Sequence, residues 1–521
     1  MKKLILTIAV VLMCQCFAFC QGCLPEGITF TTQEQIDNFQ TNYPGCTEIE
    51  GDVTIRGTNI NNLNGLSVLN LIGGYFSIGG WPDENYLLTS LTGLDNLSSI
   101  GGEFRIDRNN ALPNLTGLES LTSIGGNFCL WSNDAMTCLT GLESLAFIGG
   151  GLQIGNIGSG NPALTSLTGM QSPTIDGYLV IAGNDALSNL TGLESMTSVG
   201  GDLIICGNNA LVSLSGLEGL TSIGGSLYIG SSSCGNQSLV SLTGLEGLSN
   251  IGGDLVILQN YVLTSLTGLE GLTSIVGSLV IGNYFGSNPS LSSLEGLDNV
   301  ISVGGDLFIG YNYALTSLSG LDNLITIGGL LSISANDALT SLSALENLTS
   351  VGWTLSIYVN DALTSLTGLE NIADSSINDL IISDNFSLSS CAVQSICDYL
   401  AAPNGTVTIE NNAPGCNSEE EVEEACLSVG VPLPGSLQTE VNIYPNPTGG
   451  ILNFGFRISE CQRLSLKIYD ALGREVAVLP DEMLPAGEHS IEWDMEALPA
   501  GIYSFRLQTD SRLSTGKLIK L

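Results

Sequence analysis

From Asn109 to Phe456, 348 consecutive residues, the chain has no lysine and no arginine, against 30 aspartates and glutamates. A stretch without bases cannot neutralise phosphates, so nucleic acid is excluded as its partner. The chain has one histidine, His489, which removes Ser-His-Asp, Cys-His and histidine-based zinc chemistry from everything before it. After the first twenty residues no apolar run is long enough to span a membrane.

What fills the base-free stretch is repetition. Asn-x-x-Leu occurs thirteen times between Asn85 and Asn385, with Met136 replacing Leu once, in steps of 24 or 28 residues and one each of 23 and 25. Each Asn follows an apolar-x-Ile core such as Leu307-Phe308-Ile309, and apolar residues then recur every third position through Leu315, Leu318, Leu321 and Leu324. Period two at the core and spacing three around the bends suit short strands joined by corners. A repeat of this length that cannot cover its own Leu/Ile ring must stack on its neighbours, hence a solenoid of about 13 coils of 23–28 residues.

All insertions enter at one place. After Ile78, Ile154, Ile229 and Ile281 the Asn comes seven residues later, whereas in the other coils it comes three later. In repeat proteins the side that accepts insertions is often the binding side. The Asn column itself reads as scaffold, an inward amide satisfying backbone groups at a tight bend. The paired glycines Gly101-Gly102, Gly125-Gly126, Gly252-Gly253 and Gly304-Gly305 read as corner residues needing positive φ. No helix follows them, so they are no dinucleotide site.

Lys2-Lys3, the apolar stretch Leu4 to Met13 and Ala18-Phe19-Cys20 read as a secretory signal peptide over 1–20. In an exported chain the remaining cysteines are expected in disulfides. Cys23 and Cys46 bracket an N-terminal cap, 21–52, in which Thr31 to Gln35 carry a capping box. Cys391, Cys397, Cys416 and Cys426 close a C-terminal cap, 391–428, in one of three connectivities, and the solenoid occupies 53–390. Cys206 and Cys234 lie on one edge of adjacent coils and are expected to pair, whereas Cys129 and Cys138, on different sides of one coil, are expected to stay free. A Pro/Gly linker, 429–438, leads to residues 439–521, where alternating strands such as Ser465 to Tyr469 and Ile502 to Leu507 predict a small β-sandwich.

Two resemblances rest on these residues. The unit Leu-Thr-Ser-Ile-Gly-Gly-Asp/Ser-Leu-x-Ile-x-x-Asn, over about residues 47 to 390, resembles the receptor L-domain, a leucine-rich-repeat relative. That resemblance implies a right-handed parallel β-solenoid that binds proteins or builds a surface scaffold without catalytic residues. The chain departs from the family in its length and near lack of bases, so a hormone-receptor role does not carry over. Val441-Asn442-Ile443-Tyr444-Pro445-Asn446-Pro447, Leu466 to Asp470, Leu472 to Val476, Leu498 to Tyr503 and Lys517 to Lys520 resemble the C-terminal sorting domain of type IX secretion substrates in Bacteroidetes. This implies an Ig-like sandwich, handling by the type IX machinery, export across the outer membrane, removal of the tail, and display or release of the solenoid.

Two columns are candidates for function. An acidic column, which includes Glu218, Glu246, Glu270, Asp298 and Asp322, is either a solvated edge or a diffuse Ca²⁺ ladder, with no other cofactor expected. The outward strand position reads Val180, Ile204, Tyr228, Val256, Val280 and Phe308 between polar ends, which is either a binding face for an unknown surface protein or glycan or a packing layer. The expectation is an exported recognition or adhesion protein without catalysis. The alternatives are a polysaccharide-degrading solenoid acting through a carboxylate pair, and a structural or ice-binding rod using flat Thr columns such as Thr264 and Thr316.

Overall fold

The computed structural model describes residues 22–82, 84–428, 441–458, 462–470, 474–509 and 513–521. The signal peptide and the linker lie outside the described residues. The chain divides into two compact units, Met1–Leu339 and Thr340–Leu521.

In the first unit thirteen strands, from Ile28–Phe30, Val53–Ile55 and Phe76–Gly79 to Leu331–Ser334, pair in parallel, coil upon coil. Two-residue strands such as Ser302–Val303 stack in the same parallel way. In the second unit Thr354–Tyr358, Asp379–Ser383 and Val407–Glu410 repeat the pattern. The count is therefore sixteen strands of this kind, thirteen plus three, where the Asn motif gives thirteen coils. Of the additional three, Ile28–Phe30 and Val407–Glu410 lie in the caps and Val53–Ile55 opens the solenoid. After Ile55 the Gly57 N–H meets the Asn85 Oδ1 at 2.9 Å where other coils have an Asn, and after Ile409 the column continues through Asn412, which no Leu follows at the motif spacing.

Inside one coil Val303, Leu307, Ile309, Leu315, Leu318, Leu321, Leu324 and Ile327 are at most 1% exposed. These rings form the aliphatic interior that stacking closes.

Between the two strands of each coil lies the paired glycine, and here the expectation of positive φ fails. Positive φ, near 110°, belongs instead to the later Gly-Leu corner at Gly93, Gly117, Gly216 and Gly320. The paired glycines are required by close approach, since a Cβ on Gly304 would collide with the Val276 carbonyl oxygen and one on Gly125 with that of Gly101.

The Asn side chains are fully buried and form a continuous ladder. Asn208 Oδ1 accepts from the Asn184 backbone N–H at 3.1 Å and from Asn184 Nδ2 at 3.2 Å, while its own Nδ2 donates to the Ile181 carbonyl at 2.8 Å and the Cys206 carbonyl at 3.2 Å. Every member thus satisfies backbone groups that the bend removes from the strand ladder.

Both caps are built from helices and disulfides. Thr32 caps the helix Gln33–Asp37 in a capping box, Phe39 packs edge-on to Phe30, and Cys23 bonds Cys46. At the other end Cys391 bonds Cys416 and Cys397 bonds Cys426, around the helices Gln394–Ala401 and Glu419–Ser428. The tail is two antiparallel sheets, of three and four strands, around Leu452, Phe454, Leu466, Ile468, Phe505 and Leu518.

Replacing Asn208 by Leu leaves the Asn184 N–H buried without its acceptor and removes the amide bonds to the Ile181 and Cys206 carbonyls. Urea unfolding of Asn208→Leu is expected to show a loss of about 3 kcal/mol; a loss below about 1 kcal/mol would mean that the ladder is dispensable.

Candidate functional site

The outward row Val180, Ile204, Tyr228, Val256, Val280 and Phe308 lies in perfect register across six strands. Val256 is buried and the other five are half-buried, so the row presents no exposed side chain. Val180 and Ile204 also pack against Ala182 and the Cys206–Cys234 pair. Its border is structural. Asp202, Ser226, Asp254, Ser278 and Asp306 alternate acid and hydroxyl, each accepting from the next coil's backbone: Ser226 N–H donates to Asp202 Oδ1 at 2.8 Å and Asp254 N–H to Ser226 Oγ at 2.9 Å.

The most exposed aromatic rings among the described residues lie on the insertions. The insertion after Ile281 folds into a tight hairpin in which Asn283 and Gly286 exchange two backbone hydrogen bonds of 3.0 Å, leaving Tyr284 and Phe285 at its tip. They are 77% and 68% exposed, the largest exposures among the aromatic rings together with Trp81 on the first insertion. Tyr311 stands edge-on to Tyr284 at 6.0 Å, and Tyr313 to Tyr311 at 6.5 Å.

Further along the same edge is a groove of about 560 Å³, lined by Ser132, Asp134, Ile157–Gly160, Asp185, Asn209, Ser233–Gly235, Gln237 and Gln259. Its walls are the insertions after Ile154 and Ile229, and its floor is the two uninserted coils between them. The walls are anchored. Ser132 N–H donates to the Gly160 carbonyl at 2.9 Å, Cys234 is bonded to Cys206 with Cα atoms 5.5 Å apart, and Gln259 Nε2 donates to the Ser232 and Phe285 carbonyls at 2.8 and 3.0 Å. The sequence pointed to the insertion edge as the side where binding is expected, but it singled out neither this groove nor the two rings at the tip. The available signal was the aromatic pair inside an insertion.

The acidic column has a different explanation from calcium. Glu218, Glu246 and Glu270 each accept a hydrogen bond of 2.9 Å from the N–H of the glycine two residues earlier, Gly216, Gly244 and Gly268, and Asp298 and Asp322 do the same to Gly296 and Gly320. Each acid caps its own positive-φ corner. Among the described residues no three acidic, histidine or cysteine side chains converge on a metal-sized site.

Cys129 and Cys138 are unbridged. Burial pushes the Cys129 thiol up to about 12, which keeps it protonated and unreactive at neutral pH.

In the tail the amide of Asn446 clamps the terminal strand: its Nδ2 donates to the Lys517 carbonyl at 2.8 Å and its Oδ1 accepts from Ile519 N–H at 2.9 Å. Tyr503 donates its hydroxyl to the Pro499 carbonyl at 2.8 Å. The segments singled out in the sequence are thus tied to one another by hydrogen bonds. Residues 442–521 match the secretion system C-terminal sorting domain family. The tail is a type IX sorting domain. A chain carrying it is a substrate of the type IX machinery and is exported across the outer membrane, to the cell surface or the extracellular space. No curated protein matches the chain. No helix among the described residues is long and apolar enough to cross a membrane.

Two outcomes follow from these sites. Stacked carboxylates about one strand spacing, ~4.8 Å, apart repel more in the folded solenoid than in the unfolded chain, so raising NaCl from about 10 to about 150 mM is expected to raise the melting temperature. Millimolar Ca²⁺ at matched ionic strength is expected to add nothing, and a further rise in the calorimetric scan would restore the calcium reading. Deleting residues 444–521 is expected to leave a folded solenoid in the periplasm; surface labelling of the truncated protein at wild-type level would contradict the export role of the tail.

Proposed function

We propose that the exported solenoid is a recognition or adhesion protein that binds a surface protein or glycan and catalyses no reaction. The observation that carries this reading is the insertion edge, where short loops present the most exposed aromatic rings among the described residues, Trp81, Tyr284 and Phe285, to solvent. Exposed aromatics on short anchored loops suit recognition, because large rigid rings lose little freedom on binding. The resemblance of the repeat to the receptor L-domain supports the same reading, since solenoids of that kind bind proteins or build surface scaffolds.

A hydrolytic alternative draws on one observation, that Asp134 and Asp185 both line the groove. Asp185 accepts a hydrogen bond of 2.6 Å from Asn209, which suits a structural or ligand-orienting carboxylate as well as a catalytic one. Steady release of reducing ends from any polysaccharide, abolished in Asp185→Asn, would favour the enzyme. The ice-binding alternative is supported less. Thr137 and Thr165 donate their hydroxyls to carbonyls of the preceding coil, at 3.3 and 3.2 Å, and not outward to a lattice of water.

The purified chain applied to an array of immobilised glycans and surface proteins is expected to give at least one saturable ligand. Tyr284→Ala/Phe285→Ala should weaken its binding at least about tenfold, a loss of about 1.4 kcal/mol. An array without any saturable ligand, or one unaffected by the double substitution, would remove the insertion edge from recognition.

A further inference from the structure

The groove on the insertion edge exists because of two glycines. In every uninserted coil the residue before the ladder Asn adopts the left-handed conformation, and eight coils place a side chain there: Arg108, Ser132, Gln259, Tyr311 and Ala335 in the first unit, Val359, Asp384 and Asn411 in the second. Only Gly183 and Gly207, φ 69° and 65°, leave it bare, and these two adjacent coils are the groove floor. Backbone conformation does not demand glycine there, since the sister coils manage without it. Crowding does demand it at Gly183, where a Cβ would collide with the Asn156 carbonyl oxygen of the insertion, but not at Gly207, where a Cβ would meet only ordinary contacts, Gly183 N at 3.4 Å and the Cys234 Cβ at 3.6 Å. The missing side chain at Gly207 opens the floor, glycine at Gly183 lets the insertion pack against it, and the Cys206–Cys234 bond and the Gln259 amide hold one wall upright beside it.

The lining then specifies the ligand. About 560 Å³ falls within the usual range of small-ligand sites. Yet the walls and floor carry hydroxyls, amides, two carboxylates and bare peptide groups, with Ile157 and Pro162 the main apolar contributions. Such a surface offers donors and acceptors in pairs, as a polyhydroxylated ligand requires. A folded protein partner would need an apolar centre that this lining does not supply. One insertion further on, joined to the groove wall through Gln259, the open faces of Tyr284 and Phe285 suit stacking against the C–H faces of sugar rings. Anionic polymers are disfavoured, because no Lys or Arg occurs from Asn109 to Phe456 to receive them.

We infer that the insertion edge from Ile157 to Phe285 is a binding site for a neutral polysaccharide, whose hydroxyls enter the groove and whose ring faces stack on the aromatic tip. This rests on the recognition reading above and names its ligand class.

The test uses the purified full chain in affinity electrophoresis and calorimetric titration with xyloglucan, glucomannan and starch dextrin, and with polygalacturonate as the anionic comparator. Saturable binding to at least one neutral polymer and none to polygalacturonate is expected. Gly207→Gln, which fills the floor with the side chain that Gln259 already carries in a sister coil, and Tyr284→Ala/Phe285→Ala should each weaken it at least about tenfold. Asn250→Ala, on the strand Asn250–Ile251 of the other sheet, should leave it unchanged. Should Gly207→Gln lose its wild-type melting temperature, Ser233→Gln narrows the groove from the exposed wall and replaces it in the comparison. No binding to any of the three neutral polymers, or binding that survives both substitutions, overturns the proposal. If the array instead yields a protein ligand that depends on Tyr284 and Phe285, recognition stands and the polysaccharide assignment falls.

Discussion

The buried Asn column is the constraint on which the solenoid depends. A coil that bends sharply after its strand leaves an N–H without a ladder partner, and carbonyls with a second lone pair to fill, in an interior of Leu and Ile, where an unmet donor would be costly. One amide supplies an acceptor and two donors, so a single side chain per coil can meet the need and also bond its neighbour. Asn133 shows the pattern, with its Oδ1 taken by the Asn109 N–H at 3.1 Å and its Nδ2 donating to the Ile106 carbonyl at 3.0 Å. Because those bonds reach into the preceding coil, the Asn cannot shift along the chain. The strand before it and the Leu three places after it are fixed with it.

That fixity explains where variation is admitted. Extra residues inside the strand would flip its buried and outward faces. Extra residues among the Leu positions would move an aliphatic side chain out of the ring. Between the last strand Ile and the Asn several residues can be added without disturbing either, because a loop there leaves and returns at the same edge. Long additions at such a place cost little entropy. The four insertions use this freedom, and the anchoring by Gln259, by Cys234 and by the Asn283–Gly286 hairpin turns loose loops into shaped walls.

Much of this was legible in the chain. The period, the position of the insertions, the scaffold role of Asn and the Cys206–Cys234 edge follow from spacing alone, because stacking at one fixed rise makes sequence position equivalent to place on the coil. What was not legible depended on which atoms a side chain reaches. The glycine pairs such as Gly304-Gly305 looked like positive-φ corners, but the demand on them comes from the previous coil's carbonyl, which spacing within one repeat does not reveal. The acidic column looked like a ladder of free charges, whereas each carboxylate bends back to its own corner glycine. The row Val180 to Phe308 could be read equally as a binding face or a packing layer, since the sequence does not show how far neighbours on a flat sheet shield one another. The Asn motif also stopped short at both ends, where Gly57 and Asn412 continue the column in other contexts.

The absence of bases gives these details a common cause. Without cations from Asn109 onward, a carboxylate on the solenoid takes its donors from the backbone or, as at Asp185, from an amide side chain, and the backbone provides two kinds. Corner glycines present an N–H to Glu218 or Asp322 within the same coil, while strand entries present one from the next coil to Asp202, Asp254 or Asp306. In the second column serine separates successive acids, which doubles the spacing between charges to about 9.6 Å, two strand steps, and lowers their repulsion. Charge is therefore placed where it satisfies backbone groups, and the resulting surface repels polyanions along its length. The insertion edge differs in kind: its aromatic tip and the bare floor of its groove satisfy no backbone group of the scaffold, which leaves them free to meet a ligand.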